Sequence, residues 1–444
     1  MGTKTESNRV RQEPHGPHWS LGTRVAFRFS FVYLGLYSLA TQIYGGLLLV
    51  PNFSFPGLGT LWPMREITFW FAAHVFRVST PLVYTGNSYD TTFHWVQMFW
   101  MLLLAALVTG IWSDLDRRRL NYVTLHKWFR LFIRFALAAQ MFYYGMAKAI
   151  PTQFRFPSLV TLVEPVGDLS LTDVLWVSIG ASTAYQIFTG VAELLGGILL
   201  LVPRTAMFGE MICLVEMILI CVLNATYDFG LKTFSFHLIL MSVFLLAPEL
   251  PRLANVFFLN RAAGPSTEPQ LFRTRRANRI ALAAQILFGL YLLGMFTSIF
   301  RSYWYEEEGG GGSPKSALYG IWNVDQLSID GQLRSPLLND YDRRWRRVIF
   351  DSPHRMAFQR TDDSFAHYDV SVDANNKTVA LTKRNSKNWK ANFTFERPAT
   401  DQLILDGEMD SYMIHMQLQL VDLDSLRLFN HGFRWIRPSD RAGE

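Results

Sequence analysis

The chain has 444 residues, of which 50% are hydrophobic and 15% are aromatic, and its formal net charge is +6. Only 18% of the residues are charged, against about 25% in ordinary soluble proteins. This composition excludes a disordered chain, a collagen and a highly charged nucleic-acid-binding tail. Residues 315–444 contain 18 basic and 18 acidic side chains, so the whole positive surplus lies in the first 314 residues.

Apolar segments dominate the first two thirds of the sequence. A bilayer core about 30 Å thick needs roughly 20 apolar residues in helical form, and seven segments meet or approach that length. They are residues 24–50, 92–113, 127–149, 174–202, 205–224, 229–248 and 278–300. The sequence therefore predicts a membrane bundle of about seven transmembrane helices over residues 24–303, preceded by a cytoplasmic tail at residues 1–23.

The segment 62–86 is apolar but contains Arg65, Glu66, His74 and Arg77. Four polar or charged side chains favour an interfacial or re-entrant helix over a spanning one. An eighth span here would invert the orientation of everything that follows it.

Basic residues are distributed unevenly between alternate loops. The loops on one side of the predicted bundle hold 15 Lys and Arg residues, and the loops on the other side hold five. Because cytoplasmic loops carry the excess of Lys and Arg, the N-terminus is expected in the cytoplasm and the end of the seventh span outside.

The C-terminal part of the sequence changes character after a glycine-rich segment. Residues 304–314 include YEEEGGGGSP and are expected to form a flexible linker. Short runs of alternating apolar and polar residues then follow, from Arg347–Phe350 to Leu426–Phe429, separated by turn residues. About eight such strands without intervening helices predict an antiparallel barrel or sandwich over residues 315–444.

The middle of the helical region resembles the DoxX-like membrane family over about residues 130–250. The resemblance rests on an Arg-containing helix that closes in a Gly and a Lys, a helix with a Glu before two glycines, and an Arg-bearing turn. The matching positions are Arg134, Gly145, Lys148, Glu193, Gly196, Gly197 and Arg204. The resemblance implies a four-helix unit in a bacterial inner (plasma) membrane, and some members are linked to quinone-coupled sulfur oxidation.

The C-terminal domain is similar to the lipocalin-like pattern, in which a Gly-x-Trp strand is closed by an Arg from the final strand. Gly320 and Trp322 match the first element, and Arg434 or Arg437 matches the second. The resemblance implies a barrel in which Trp322 closes one end, with a guanidinium near its indole. By the orientation above, this domain lies in the periplasm or outside the cell.

Ionisable residues inside the predicted spans are candidate functional groups, because a charge at bilayer depth costs at least about 2.5–3.5 kcal/mol and usually faces a partner or a cavity. At 1.5 Å per residue, four of them share one predicted layer: Arg134, Glu193, Glu216 and His237. A second polar set lies near the outer end of the spans: Tyr144, Lys148, Asp228 and Lys232.

Two interpretations of the layer stay open. It forms a pocket for a quinone head group, a proton or a polar substrate, or its charges form a buried ion pair that fixes which helix meets which. An Arg134–Glu193 pair is expected under both interpretations.

The sequence has no nucleotide-binding loop, no nucleophile elbow and no metalloprotease motif. It therefore predicts no catalytic residues and no metal site, and an enzyme is the least supported class. The favoured function is an accessory or quinone-associated subunit of a membrane redox system, whose partners are the lipid bilayer and other redox subunits but not nucleic acid. The alternative is a carrier or assembly protein whose external β domain binds an apolar ligand or a partner.

Overall fold

A computed structural model describes residues 18–82, 90–265, 270–306, 310–337, 344–383, 386–429 and 435. The chain divides into two compact units. The helical unit comprises Met1–Met146 and Gly190–Ser298, and the barrel unit comprises Ala147–Thr189 and Ile299–Glu444.

Eleven α-helices lie among the described residues. They are α1 (Leu21–Ala40), α2 (Gln42–Leu47), α3 (Met64–His74), α4 (Thr92–Leu115), α5 (Val123–Ala149), α6 (Leu171–Gly180), α7 (Thr183–Leu201), α8 (Ala206–Thr226), α9 (Lys232–Leu246), α10 (Leu250–Phe257) and α11 (Arg275–Glu306).

Five helical stretches among the described residues are long and apolar enough to cross a membrane. They are α4, α7, α8, the run Lys232–Phe257 that contains α9 and α10, and α11. The other two predicted spans form α1, with 20 residues, and α5, with 27 residues. These two helices are long enough, but arginines such as Arg28, Arg130 and Arg134 lower their apolar character.

Three predicted segments differ in detail from the helices found. The segment 24–50 is divided, because α1 ends at Ala40 and α2 begins at Gln42. The segment 174–202 is interrupted between α6 and α7, because α6 ends at Gly180 and α7 begins at Thr183. In the described part of the segment 62–86, which ends at residue 82, the helix is α3, with 11 residues. At 1.5 Å per residue α3 is about 16 Å long, which is too short to cross a bilayer core of about 30 Å.

Nine strands lie among the described residues of the barrel unit. They are β1 (Gly320–Ile329), β2 (Gln332–Leu333), β3 (Trp345–Ser352), β4 (Arg355–Arg360), β5 (Phe365–Asp373), β6 (Thr378–Lys383), β7 (Ser386–Ala399), β8 (Gln402–Met409) and β9 (Tyr412–Leu420). Each pairs antiparallel with its neighbour in the sheet, and β1 also pairs with β9. Since β2 is a two-residue extension on β1, eight strands close the barrel.

The predicted all-β domain is therefore a closed barrel, and the sandwich alternative is wrong. The predicted last strand at Leu426–Phe429 is also wrong, because these residues form turns after β9. The ladder between β1 and β9 runs from the pair Trp322 and Leu420 to the pair Ile329 and Ile414, so the barrel closes without Leu426–Phe429.

The barrel interior is filled by side chains, as expected for eight strands. Alternate residues of each strand face inward and form a single buried cluster. Its largest members include Trp322, Phe350 and Phe358, which are at most 1% exposed, and Trp345 stacks on Phe358 with ring centroids 4.5 Å apart.

The outer face of β1 and β3 is covered by residues 158–163, here called the strap. Leu159 of the strap forms a second buried cluster with Ile321 and Ile349, which point away from the barrel interior. The Leu159 backbone N–H donates to Asp351 Oδ1 at 2.8 Å, and Gln359 Nε2 donates to the Val163 carbonyl at 3.3 Å. The strap belongs to the barrel unit although it lies between α5 and α6 in the chain.

The glycine-rich segment expected to be a linker contacts the end of α11. A Cβ on Gly311 would lie 1.9 Å from Trp304 Cη2, and one on Gly310 would lie 2.3 Å from the Trp304 carbonyl oxygen. The Gly312 N–H donates to that carbonyl at 3.2 Å. Only glycine fits against the indole at these distances.

Candidate functional site

His237 on α9 lies at the centre of a buried hydrogen-bond network in the helical unit. Its Nδ1 is 2.6 Å from the Thr233 carbonyl oxygen, and its Nε2 is 2.7 Å from the Tyr33 hydroxyl. Because a carbonyl oxygen only accepts, Nδ1 carries the proton. In the neutral imidazole Nε2 then accepts the hydrogen bond that Tyr33 donates.

A second tyrosine of α1 stacks on the same imidazole. The rings of Tyr37 and His237 are nearly parallel, with an interplanar angle of 4° and centroids 3.6 Å apart. His237 is 1% exposed, and Tyr33 and Tyr37 are each 5% exposed. The imidazole is thus enclosed by aromatic rings that fix its orientation.

Asp90 connects this network to the N-terminus of α9. Its carboxylate accepts hydrogen bonds from the backbone N–H groups of Lys232, at 2.7 Å, and Thr233, at 3.0 Å, and from the Thr233 hydroxyl. The first N–H groups of a helix have no partner within the helix, and the helix dipole favours a negative charge there. The result is a continuous series of polar contacts through Asp90, Thr233, His237 and Tyr33.

Tyr144 on α5 adjoins the same region. Gln42 Nε2 donates to the Tyr144 hydroxyl at 2.9 Å and to Gln140 Oε1 at 3.2 Å. Tyr37 is close enough to both Tyr144 and Asp90 for an electrostatic interaction. We call this group the Tyr–His site: Tyr33, Tyr37, Asp90, Tyr144, Thr233 and His237.

The other members of the predicted outer set lie as follows. Asp228 and Lys232 form an ion pair of 2.8 Å in which the Asp228 side chain is 83% exposed. Lys232 also touches the Tyr–His site through its backbone N–H. Lys148 is a buried residue of the barrel unit.

A second polar cluster surrounds Cys213 on α8. Glu193, Glu210 and Glu216 are all close enough to the thiol for an electrostatic interaction. Arg130 on α5 is 3.8 Å from Glu210, and both side chains are at most 4% exposed. The structure thus places Glu193 and Glu216 beside Cys213, and places His237 with the tyrosines of α1.

Arg134, the third charged member of the predicted layer, donates a hydrogen bond to Gln285 Oε1 of α11. Glu193 of α7 lies opposite Gly145 of α5. The two helices approach closely there, because a Cβ on Gly145 would lie 3.0 Å from the backbone nitrogen of Leu194, the residue after Glu193. Gly145 is eleven residues from Arg134, or about 16 Å along α5. A direct Arg134–Glu193 contact would need both side chains to extend toward each other, and this pair stays a prediction.

The residues of the predicted barrel closure lie as follows. Gly320 has a φ of +149°, and a Cβ there would lie 2.6 Å from Leu420 Cδ1. Trp322 is fully buried, and its Nε1 donates to the Leu318 carbonyl at 2.9 Å. Arg434 and Arg437 lie outside the described residues. A guanidinium does lie near the indole, but it belongs to Arg397 of β7, 5.7 Å from the ring.

Comparison with known proteins shows where this chain belongs. Over 129 residues it is 32% identical to the uncharacterized protein YwoB of Bacillus subtilis (strain 168), and the alignment covers 29% of this chain and 79% of YwoB. The chain belongs to the YwoB family. No family model matches the sequence, and no solved structure matches it. Membership of the YwoB family supplies no activity, because YwoB is itself uncharacterized.

In this member of the YwoB family, the Tyr–His site contains a tyrosine hydroxyl, a neutral imidazole and a stacked aromatic ring, which are buried and bonded to one another. The described residues contain no group of three or more His, Cys, Asp or Glu side chains that could hold a metal ion.

The sequence indicated His237 and Tyr144 but not their partners. Tyr33 and Tyr37 are aromatic residues in an apolar segment, where packing is the default expectation. Asp90 lies in a short polar stretch before α4, 142 residues from Lys232, with which it forms a hydrogen bond. A carboxylate that caps a helix so distant in the chain leaves no local spacing signal.

Proposed function

We propose that the protein is a seven-span bacterial plasma-membrane protein that binds a quinone head group at the Tyr–His site and acts as an accessory subunit of a membrane redox system. The observation that carries this proposal is the buried His237, which contacts Tyr33, Tyr37 and, through Thr233, Asp90. The same role is what the DoxX resemblance implies.

The seven proposed spans are α1, α4, α5, α7, α8, α9 and α11. The charge on α1 and α5 is compatible with this, because ionisable groups at membrane depth are accommodated when they face partners. Arg28 of α1 is 1% exposed and donates to the Tyr122 hydroxyl, to Ser113 Oγ and to the Asp116 carbonyl. Arg130 of α5 lies beside Glu210 and donates to the Leu245 carbonyl.

In the proposed topology the N-terminus lies in the cytoplasm and the barrel lies in the periplasm or outside the cell. It is tested by a phosphatase or fluorescent reporter fused after Glu444, which should behave as periplasmic. Cytoplasmic behaviour of the reporter would contradict an odd number of spans.

Each residue of the Tyr–His site has a role in this proposal. Quinones carry electrons together with protons, so a binding site gains from groups that hold or donate a proton. The Tyr33 hydroxyl now donates to His237 Nε2, and a quinone carbonyl would accept that hydrogen bond in its place, while the Nδ1 proton stays bonded to the Thr233 carbonyl. Asp90 fixes the first turn of α9, and thereby the Thr233 carbonyl that orients the imidazole.

The test is extraction and mass spectrometry of the molecules that co-purify with the full chain in mild detergent. We expect a quinone with the wild-type protein and with Tyr291→Phe, a control that removes a tyrosine hydroxyl bonded to the Leu49 carbonyl outside the site. Tyr33→Phe and His237→Phe should each reduce the bound quinone at least tenfold. Equal quinone content in all four proteins, or none in the wild type, would contradict the proposal.

The carrier function is the second candidate, and one observation shapes it. The barrel interior is filled by buried side chains, so a carrier of this fold would hold its ligand outside the lumen. The barrel unit has a cavity of its own that meets this requirement.

A further inference from the structure

The barrel unit contains a cavity of about 830 Å³ outside the barrel lumen. It is bounded by the segment that follows α5, by the end of α11, by the glycine turn and by the turn between β3 and β4. Small-molecule sites usually measure about 300–1,000 Å³ and combine an apolar lining with a few convergent polar groups. This cavity has the volume of such a site.

Aromatic rings form much of the cavity wall. Phe154 packs against Trp176 with ring centroids 4.7 Å apart, and Phe156 meets Phe429 edge to face at 5.6 Å. Trp304, held by the glycine turn, also lines the cavity. These rings offer a rigid apolar surface.

Three cationic side chains also line the cavity: Arg155, Lys315 and Arg355. Lys315 Nζ lies 4.5 Å from the centroid of the Tyr319 ring, a cation–π contact that holds the ammonium at the wall. Guanidinium groups form paired hydrogen bonds with phosphate oxygens, and an ammonium adds a point charge. The basic residues are therefore of the types that recognise a phosphate group.

Three acidic side chains are also present: Glu164, Asp173 and Asp351. Two of them have structural roles. Asp173 accepts hydrogen bonds from Ser170 in the capping box that begins α6, and Asp351 accepts from the Leu159 backbone N–H of the strap. These carboxylates hold the cavity walls in place.

The position of Trp304 indicates the level of the cavity relative to the proposed membrane. It lies on the last turns of α11, a helix long and apolar enough to span a membrane, and it is flanked by Tyr303 and Tyr305. Trp and Tyr concentrate at the level of lipid head groups. If α11 spans as proposed above, the cavity opens where lipid phosphates are abundant.

We infer that this cavity binds an amphiphile through its phosphate group, with Arg155, Arg355 and Lys315 around the phosphate and the apolar part against the rings of Phe154, Trp176 and Trp304. The inference is independent of quinone binding in the helical unit. It rests on the proposed function only in taking α11 as a membrane span.

The test is calorimetric titration of the full chain in a phosphate-free maltoside detergent with three probes. Dioctanoyl phosphatidic acid carries both features, dioctanoyl glycerol lacks the phosphate, and inorganic phosphate lacks the apolar part. We expect saturable binding of the phosphatidic acid, and at least tenfold weaker binding of the other two. Equally tight binding of dioctanoyl glycerol would reduce the cavity to an apolar site, and equally tight binding of phosphate would reduce it to an anion site; either result overturns the inference.

Variants assign the binding to this cavity. Arg355→Gln should weaken phosphatidic acid binding at least tenfold, Arg355→Lys should weaken it less, and Trp304→Phe should leave part of it. The matched control is Arg397→Gln, which removes an exposed guanidinium of the same barrel outside the cavity. Arg355 is exposed, and the melting temperature of each variant is measured so that a loss of binding is separated from a loss of folding. Binding unaffected by Arg355→Gln, or weakened equally by Arg397→Gln, would refute the assignment.

Discussion

Tyr33 and His237 are 204 residues apart in the chain, and their side chains are joined by a buried hydrogen bond of 2.7 Å. This contact ties α1 to α9. The Thr233 carbonyl sets the tautomer of the imidazole, because it places the proton on Nδ1 and leaves Nε2 to accept from Tyr33.

Tyr33→Phe should lower the stability of the helical unit. The substitution keeps the ring but leaves Nε2 of His237 buried without its donor, which costs about 1–3 kcal/mol. Unfolding in detergent measures the loss. Tyr37→Phe is the matched control, because it retains the ring that stacks on His237, and we expect a smaller effect. Equal losses for the two variants would contradict the assigned hydrogen bond.

Arg130 and Glu210 should be strongly coupled, because both are buried. Arg130→Met alone should destabilise the protein by about 3–5 kcal/mol, since it strands a buried carboxylate, and adding Glu210→Leu should restore much of the loss. The comparison pair is Arg346–Asp363, which is shorter, at 2.6 Å, but more exposed. Exposed pairs contribute about 0–1 kcal/mol. A double-mutant cycle on each pair measures its coupling energy. A larger coupling energy for the exposed pair would contradict the prediction that burial matters more than distance.

The predicted Arg134–Glu193 pair is tested in the same way. If the two charges are partners, Glu193→Leu should cost a few kcal/mol, and Arg134→Met in the same chain should recover much of it. Arg134→Met combined with Gln285→Leu provides the reference cycle, because Gln285 accepts a hydrogen bond from Arg134. An unchanged melting temperature for Glu193→Leu would refute the pair.

The fragment 315–444 should fold without the helices but should self-associate. Its buried cluster lies almost wholly within the barrel, so we expect a β-rich circular dichroism spectrum and a cooperative melt. Removing the strap exposes Ile321 and Ile349, which Leu159 covers in the whole chain. Ile349→Ser should therefore give a monomer in sedimentation analysis. Val348→Ser, one residue away but facing the interior, should unfold the fragment, and an unfolded wild-type fragment would contradict the independent barrel.

Acid should weaken the turn between β5 and β6. Hydrogen bonds from Asn376 and from the Asn375 N–H lower the pKa of Asp373. A lowered pKa stabilises the fold above the ordinary Asp value of about 3.9, and this contribution disappears as the pH falls through the folded-state pKa. Asp373→Ala should therefore lower the melting temperature of the barrel at pH 7 but not at pH 2. Asp325→Ala, at an exposed position of β1, is the control.

Much of the architecture could be predicted from periodicity. Long apolar runs specify helices because a helix satisfies its own backbone, and α4, α8 and α11 begin and end within a few residues of the predicted segments. Alternation with period two specified the strands of the barrel, since one face of each strand is buried. The prediction was wrong at Leu426–Phe429, because this short alternating run follows the closed ladder of β1 and β9 and forms turns.

The partners of the polar residues could not be predicted in the same way. Depth along a helix places Arg134, Glu193, Glu216 and His237 in one layer, but it says nothing of the direction in which each side chain points or of which helix lies opposite. Packing places His237 with Tyr33 and leaves Glu193 and Glu216 beside Cys213.

The sequence by itself determined that this protein has an apolar helical part and a C-terminal all-β part, because hydrophobic periodicity is a local property of the chain. Only the tertiary structure decided that β9 closes on β1, that Asp90 caps α9 and that Leu159 covers the outer face of the barrel. Each of these contacts joins residues at least 85 positions apart. Such contacts depend on how whole elements pack, which no local pattern records.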